Sequence, residues 1–162
     1  MATSSVSALD QDTYQLIATN TTTSGSTSSF SSLGSYKKLM LTWEGVTRAA
    51  DGVPLLTFNG SSSNYIGSTH LSLAGDNYQT SIAGINLSWS GVRTLVNGCY
   101  VIENTNNGAP KLIKGEATTG SNDWPMIISG SWLTADSITS MSISAGGSTF
   151  SAGSMKLYGI AG

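Results

Sequence analysis

The sequence predicts an all-β protein, an antiparallel two-sheet sandwich for which we favour the jelly roll over a barrel. Ser and Thr occupy 28 and 19 of the 162 positions, and Gly another 19, a composition that suits strands and turns better than helices. Apolar and polar residues alternate in short runs separated by Gly, Asn and Asp, and no segment keeps a helical period. About ten short strands at this spacing are typical of a sandwich or a barrel.

The clearest strand runs from Lys38 to Glu44. Leu39, Leu41 and Trp43 alternate there with polar or flexible residues, so we expect these three side chains to face a core. The same reasoning predicts nine further strands: Tyr14 to Ala18, Leu55 to Phe58, Tyr65 to Leu73, Ile82 to Trp89, Cys99 to Asn104, Leu112 to Ala117, Met126 to Trp132, Ile138 to Ser144 and Ser154 to Ile160. We interpret Gly146-Gly147 as a hairpin turn between the last two.

Two polar stretches interrupt this pattern. Residues 1–12 are predicted to be an N-terminal arm, and Thr19 to Ser29 a long surface loop. The remaining residues, 13–162, are predicted to fold as one jelly-roll domain.

The charge balance argues against two classes of partner. The formal net charge is −2 and the isoelectric point is about 5.1, so no basic field exists to attract nucleic acid or an anionic membrane. The first residues lack the basic and then apolar pattern of a secretory signal, and no apolar run is long enough to span a membrane. We therefore expect folding in a cytosol.

Catalytic and metal-binding patterns are weak. His70 is the sole histidine and Cys99 the sole cysteine, and both are interpreted as ordinary strand residues. Glu44, Glu103 and Glu116 fall on different predicted strands, where solvated positions explain them better than a catalytic carboxylate pair does. We expect no enzyme activity, no metal and no cofactor.

Aromatic residues offer better candidates for binding. Trp43 and Trp89 are in phase with core leucines, whereas Trp124 beside Pro125 and Tyr78 in a predicted loop are candidates for stacking on sugars. In the last strand Met155 and Leu157 share one face. Tyr158 and Ile160 share the other with Lys156, and that second face needs cover from a loop or another subunit.

Two segments resemble a known family. The stretch Ile138-Thr-Ser-Met-Ser-Ile-Ser-Ala-Gly-Gly-Ser-Thr-Phe150-Ser-Ala-Gly-Ser-Met-Lys-Leu-Tyr-Gly-Ile160 is similar to the closing strands of tailed-bacteriophage virion proteins with a jelly-roll domain. Upstream, Leu39-Met-Leu-Thr-Trp43, Leu56-Thr-Phe58-Asn-Gly60 and Ser63-Asn64-Tyr65 resemble the same family's strand, turn and loop order. The resemblance spans roughly residues 30–160 and carries no catalytic motif.

This resemblance implies a virion protein, usually trimeric, either a capsid decoration (cement) protein or a tail-fibre tip. Because the β pattern begins by Tyr14, without a shaft or attachment module before it, we expect the first role: a homotrimer on the capsid surface, assembled in the host cytoplasm and bound to the major capsid protein. The expected interface residues are Tyr158, Ile160, Lys156, and Thr3, Ser4 and Val6 of the arm. The alternative is a tail module that recognises host glycans through Tyr78 and Trp124.

Overall fold

A computed structural model describes residues 13–71, 75–87, 97–119 and 124–162, with residues 71, 75–81, 119 and 124 described by their backbone alone. These residues form strands and turns, with no helix among them. The strands are β1 (Gln15–Thr21), β2 (Thr27–Ser31), β3 (Tyr36–Arg48), β4 (Leu55–Phe58), β5 (Tyr65–Leu71), β6 (Gly75–Ile82), β7 (Ile85–Asn86), β8 (Asn97–Glu103), β9 (Lys111–Thr119), β10 (Trp124–Trp132), β11 (Ser140–Ser144) and β12 (Phe150–Ala161).

The strands form two antiparallel sheets, which confirms the predicted all-β, two-sheet class. The large sheet has the order β1-β12-β3-β8-β9-β10-β5-β6, and the small sheet has the order β2-β11-β4-β7. Phe58 of the small sheet packs against Tyr65 and Trp132 of the large sheet, at ring-centroid distances of 6.1 and 5.6 Å. The core therefore lies between the two sheets.

The alternation predicted for β3 is confirmed. Leu39 and Leu41 are fully buried and Trp43 is nearly so, while Lys38, Met40 and Thr42 are only partly buried. The same period continues on the neighbouring strand, where Tyr100 and Ile102 of β8 are fully buried. The large sheet thus has one face in the core and one face turned away from the small sheet.

Two glycines make room for the aromatic residues in this core. Gly98 of β8 lies opposite Trp43, and Gly115 of β9 lies opposite Tyr100. A Cβ atom at either glycine would overlap the aromatic ring beside it. With that space available, Trp43 and Tyr100 pack edge to face with their ring centroids 4.9 Å apart.

The predicted loop from Thr19 to Ser29 is wrong at both ends. β1 continues to Thr21, and β2 begins at Thr27 and pairs with β11. Ser28 and Phe30 of β2 are buried between exposed neighbours. Small hydroxyl residues such as Ser28 fit on the inner face of an edge strand, so the polar composition concealed the alternation.

The predicted hairpin at Gly146-Gly147 is also wrong. Both glycines have positive φ, at 69° and 84°, as a turn requires. The strands that they join do not pair, however, because β11 belongs to the small sheet and β12 to the large one. The turn carries the chain from one sheet to the other.

Three further boundaries differ from the predictions. Tyr78, expected in a loop, lies in β6 opposite Ser68. Within the predicted strand from Ile82 to Trp89, the chain ends β6 at Ile82 and forms the short β7 over Ile85–Asn86. Trp89, expected in the core, lies outside the described residues, as do the arm residues 1–12.

Candidate functional site

The face of the large sheet that points away from the small sheet is the candidate binding surface, which we call the outer face. It is formed by the alternate residues of each strand that do not enter the core, and cross-strand register aligns them in rows. One row runs from β12 to β5 through Tyr158, Met40, Val101, Lys114, Ser129 and Ser68.

Three large apolar side chains are exposed on the part of this face that β5, β9 and β10 form. Ile66 on β5, Leu112 on β9 and Ile127 on β10 are 38%, 44% and 61% exposed. Leu112 and Ile66 lie on either side of Ser131 in one row, and Ile127 lies two rows further along β10, beyond the row of Lys114, Ser129 and Ser68. We call these three residues the apolar patch. Together they place apolar surface at both ends of this part of the sheet, and exposed apolar surface on one face is a common feature of protein interaction sites.

The sequence contained a signal for the apolar patch that the strand predictions did not use. Each of its residues has an apolar neighbour that is buried: Tyr65, Ile113 and Ile128. Consecutive residues of a strand point to opposite faces, so two adjacent apolar residues place one of them outside the core. In the last strand the same reasoning predicted the outward-facing Tyr158 and Ile160.

Charged groups lie beside the patch. Glu103 Oε1 lies 3.4 Å from Lys38 Nζ and 3.2 Å from Lys114 Nζ. Hydrogen bonds from the Lys114 and Lys38 ammonium groups hold the pKa of the Glu103 carboxyl below its ordinary value. Because all three side chains are solvent-accessible, these ion pairs contribute little to the stability of the fold.

The interface residues predicted on the last strand also belong to the outer face. Lys156 and Tyr158 are half-buried there, and Tyr158 lies opposite Leu16 of β1, which is 56% exposed. Ile160 is only 8% exposed and lines a cavity together with Asn106 and Asn107. Neighbouring residues of the chain thus already cover Ile160, while Leu16 and Tyr158 remain accessible. Thr3, Ser4 and Val6 lie outside the described residues.

The two predicted sugar-stacking residues lie on separate strands. Tyr78 belongs to β6 and Trp124 is the first residue of β10, with β5 between those strands. Only their backbones are described.

Groups that could support catalysis are dispersed. His70 is exposed on the outer face opposite Ile127. Burial raises the pKa of the Cys99 thiol, and the carboxylate of Glu116 raises it further, so its reactive thiolate form is disfavoured. Among the residues with described side chains, no three His, Cys, Asp or Glu residues cluster as a metal site would require.

The chain matches no protein-family model and no curated protein. Within the described parts of the chain, no helix has the length and apolar character needed to cross a membrane.

Proposed function

We propose that this protein is a non-catalytic virion component, a capsid decoration protein that binds the assembled shell of the major capsid protein through the outer face of its large sheet. The observation that carries the proposal is the apolar patch of Ile66, Leu112 and Ile127, accessible on one broad, regular face. A protein that binds only the assembled shell stabilises that shell by mass action.

We further propose that the fold is a jelly roll with two insertions. The strand orders β1-β12-β3-β8 and β2-β11-β4-β7 place the first strand beside the last and the second beside the second-to-last. A chain that folds as a double Greek key produces two four-stranded sheets with these strand orders. The inserted strands are β5 and β6, and β9 and β10, and they widen the large sheet on one side.

This interpretation connects the fold to the proposed function. Each residue of the apolar patch belongs to an inserted strand, β5, β9 or β10. The insertions therefore enlarge the outer face and supply its exposed apolar side chains. We propose that they form the shell-binding part of the molecule.

The proposal predicts that substitutions in the apolar patch weaken shell binding without unfolding the protein. Purified protein would be cosedimented with empty shells of the major capsid protein and, separately, with unassembled capsid subunits. We expect binding to shells only. Leu112→Ser and Ile127→Ser should each weaken it about tenfold, because each removes apolar area from the contact.

Leu133→Ser is the matched control. Leu133 is 51% exposed and follows the end of β10, at the opposite end of that strand from Ile127, so its substitution should weaken shell binding less than Ile127→Ser does. Equal losses in all three variants would contradict the proposed surface. Immunogold microscopy of virions would test location: label on the head is expected, and label confined to the tail tip would refute the decoration role in favour of receptor binding.

A further inference from the structure

A polar cavity opens on the outer face over β12, β3 and β8, whereas the apolar patch lies on β5, β9 and β10. Its volume is about 370 Å³, and it is lined by residues of three adjacent strands, β12, β3 and β8. Glu44 lies between Ser154 and Asn97 in one row, and Lys156 lies opposite Thr42 in the next. A cavity of this volume falls within the range of about 300–1,000 Å³ typical of small-molecule sites.

A β-bulge shapes this cavity. Glu44 and Gly45 are both exposed, which breaks the alternation of β3, and at the same point the register with β12 shifts between Ala152 and Ser154. Gly45 and Gly153 have φ values of 60° and 94°, and a Cβ atom at Gly153 would overlap the backbone of Gly45. Bulges of this kind redirect side chains and are frequent beside functional sites.

The lining combines several chemistries. Glu44 supplies a carboxylate acceptor, Lys156 an ammonium donor, Thr42 a hydroxyl group and Tyr158 an aromatic ring. Asn97 uses its side-chain oxygen to accept a hydrogen bond from the Gly45 amide at 3.2 Å. This bond holds the Asn97 side chain at the rim, where its amide NH₂ group is a further donor.

Trp43 forms part of the same wall. It is 4% exposed and lines the cavity, and its buried Nε1 has no hydrogen-bond partner among the described residues. Buried donors are nearly always satisfied in folded proteins. Because this Nε1 is buried, Trp43 contributes a wall to the cavity and not a donor that a ligand could reach.

From these features we infer that the cavity binds a neutral saccharide. Sugar hydroxyls both donate and accept hydrogen bonds, as the mixture of carboxylate, ammonium, amide and hydroxyl groups requires. The ring of Tyr158 offers an apolar surface for the C–H face of a pyranose. The opposite charges of Glu44 and Lys156 disfavour a phosphate, and a single carboxylate is too few for a divalent cation.

The inference does not depend on shell binding, because the cavity is separate from the apolar patch. Its test uses the full-length protein without shells. Saturation-transfer NMR would screen glucose, galactose, mannose, N-acetylglucosamine and their β-linked disaccharides, followed by calorimetric titration of each sugar that binds. We expect at least one of them to bind with a dissociation constant of about a millimolar, the affinity of a small, open site.

Matched variants locate the site. Glu44→Gln should weaken binding about tenfold by removing a charged acceptor, and Tyr158→Ala should abolish it. Glu116→Gln makes the same chemical change as Glu44→Gln on the same face, but Glu116 does not line the cavity, so binding should be unchanged. Thermal melts of each variant separate a lost site from a lost fold.

Two results would overturn the inference. One is the absence of binding by every sugar at concentrations well above a millimolar. The other is binding that survives both Glu44→Gln and Tyr158→Ala in folded protein, since the sugar would then occupy another site. Neither result would bear on cosedimentation with shells, so this inference and the proposed function can fail independently.

Discussion

At the scale of single residues, several polar groups lie deeper than their residue types predict. Lys111 has no exposed surface, and its Nζ donates hydrogen bonds to the carbonyl oxygens of Asn107 and Ala109 at 2.7 and 2.6 Å. Burial lowers the pKa of this ammonium group. The sequence placed Lys111 just outside a strand, and only the loop that folds over the side chain explains its burial.

Tyr100 should make the protein sensitive to alkali. Its side chain is fully buried, and burial raises the pKa of its phenol well above the ordinary value of 10.0. Above pH 10 the unfolded chain releases this proton while the folded chain retains it. Stability should therefore fall as pH rises further, by at most about 1.4 kcal/mol per pH unit for this one group.

Tyr100→Phe tests this origin. Phe keeps the ring packed on Trp43 and loses only the hydroxyl group, which donates to the Asn86 carbonyl oxygen at 3.3 Å. Urea unfolding between about pH 8 and about pH 11 should show a smaller alkaline loss in the variant. The lowered pKa of Lys111 acts in the opposite direction but is common to both proteins. Equal losses in the two proteins would show that Tyr100 is not responsible.

At the scale of elements, strands with large apolar residues were predictable and strands without them were not. β3 and β8 were located because alternation places Leu39, Leu41 and Ile102 on one face. β2 was missed because four of its five residues are Ser or Thr. Its pairing with β11 depends on partners more than one hundred residues away in the chain, and local pattern contains no information about them.

The packing of glycine against aromatic residues yields a prediction at this scale. Gly98→Ala should destabilise the protein by about 3 kcal/mol, because its Cβ would overlap the indole of Trp43 and force the rings apart. Gly108→Ala is the control, since a Cβ at Gly108 meets no atom within 4 Å. We expect that variant to change stability by less than about 0.5 kcal/mol. Equal denaturation midpoints for the two variants would contradict the packing argument.

At the scale of the whole molecule, the two faces of the large sheet have different roles. One face is covered by the small sheet, and the other carries exposed apolar residues, the ion-pair cluster and the polar cavity. At one edge, Leu16 of β1 and Tyr158 of β12 lie opposite each other. Leu16 is the most exposed apolar side chain at this edge, where we predict the self-association.

The predicted homotrimer is testable at this scale. Sedimentation velocity at micromolar concentration should give a trimer for the wild type. The variant Leu16→Ser should sediment as a monomer, because it removes the most exposed apolar side chain at this edge. Leu133→Ser should remain trimeric. A monomeric wild type would remove the support for an interface at the last strand in free protein.

The sequence alone determined the all-β class, most of the strands and the core residues Leu39, Leu41 and Trp43 of the clearest strand. These features follow from backbone preferences and from the two-residue period of a strand, which are local properties. It also placed Lys156 and Tyr158 on the side of the last strand that does not enter the core. Local pattern was sufficient for that conclusion because the orientation of a side chain depends on its own strand.

Only the tertiary structure decided which strands are neighbours, and the neighbouring strands determine where the candidate sites lie. The apolar patch requires β5, β9 and β10 to lie side by side, and the cavity requires Glu44, Asn97 and Lys156 to meet across three strands. Antiparallel pairing between distant segments is fixed by the packing of the whole core. Residues far apart in the chain therefore become one surface only when the two sheets have formed.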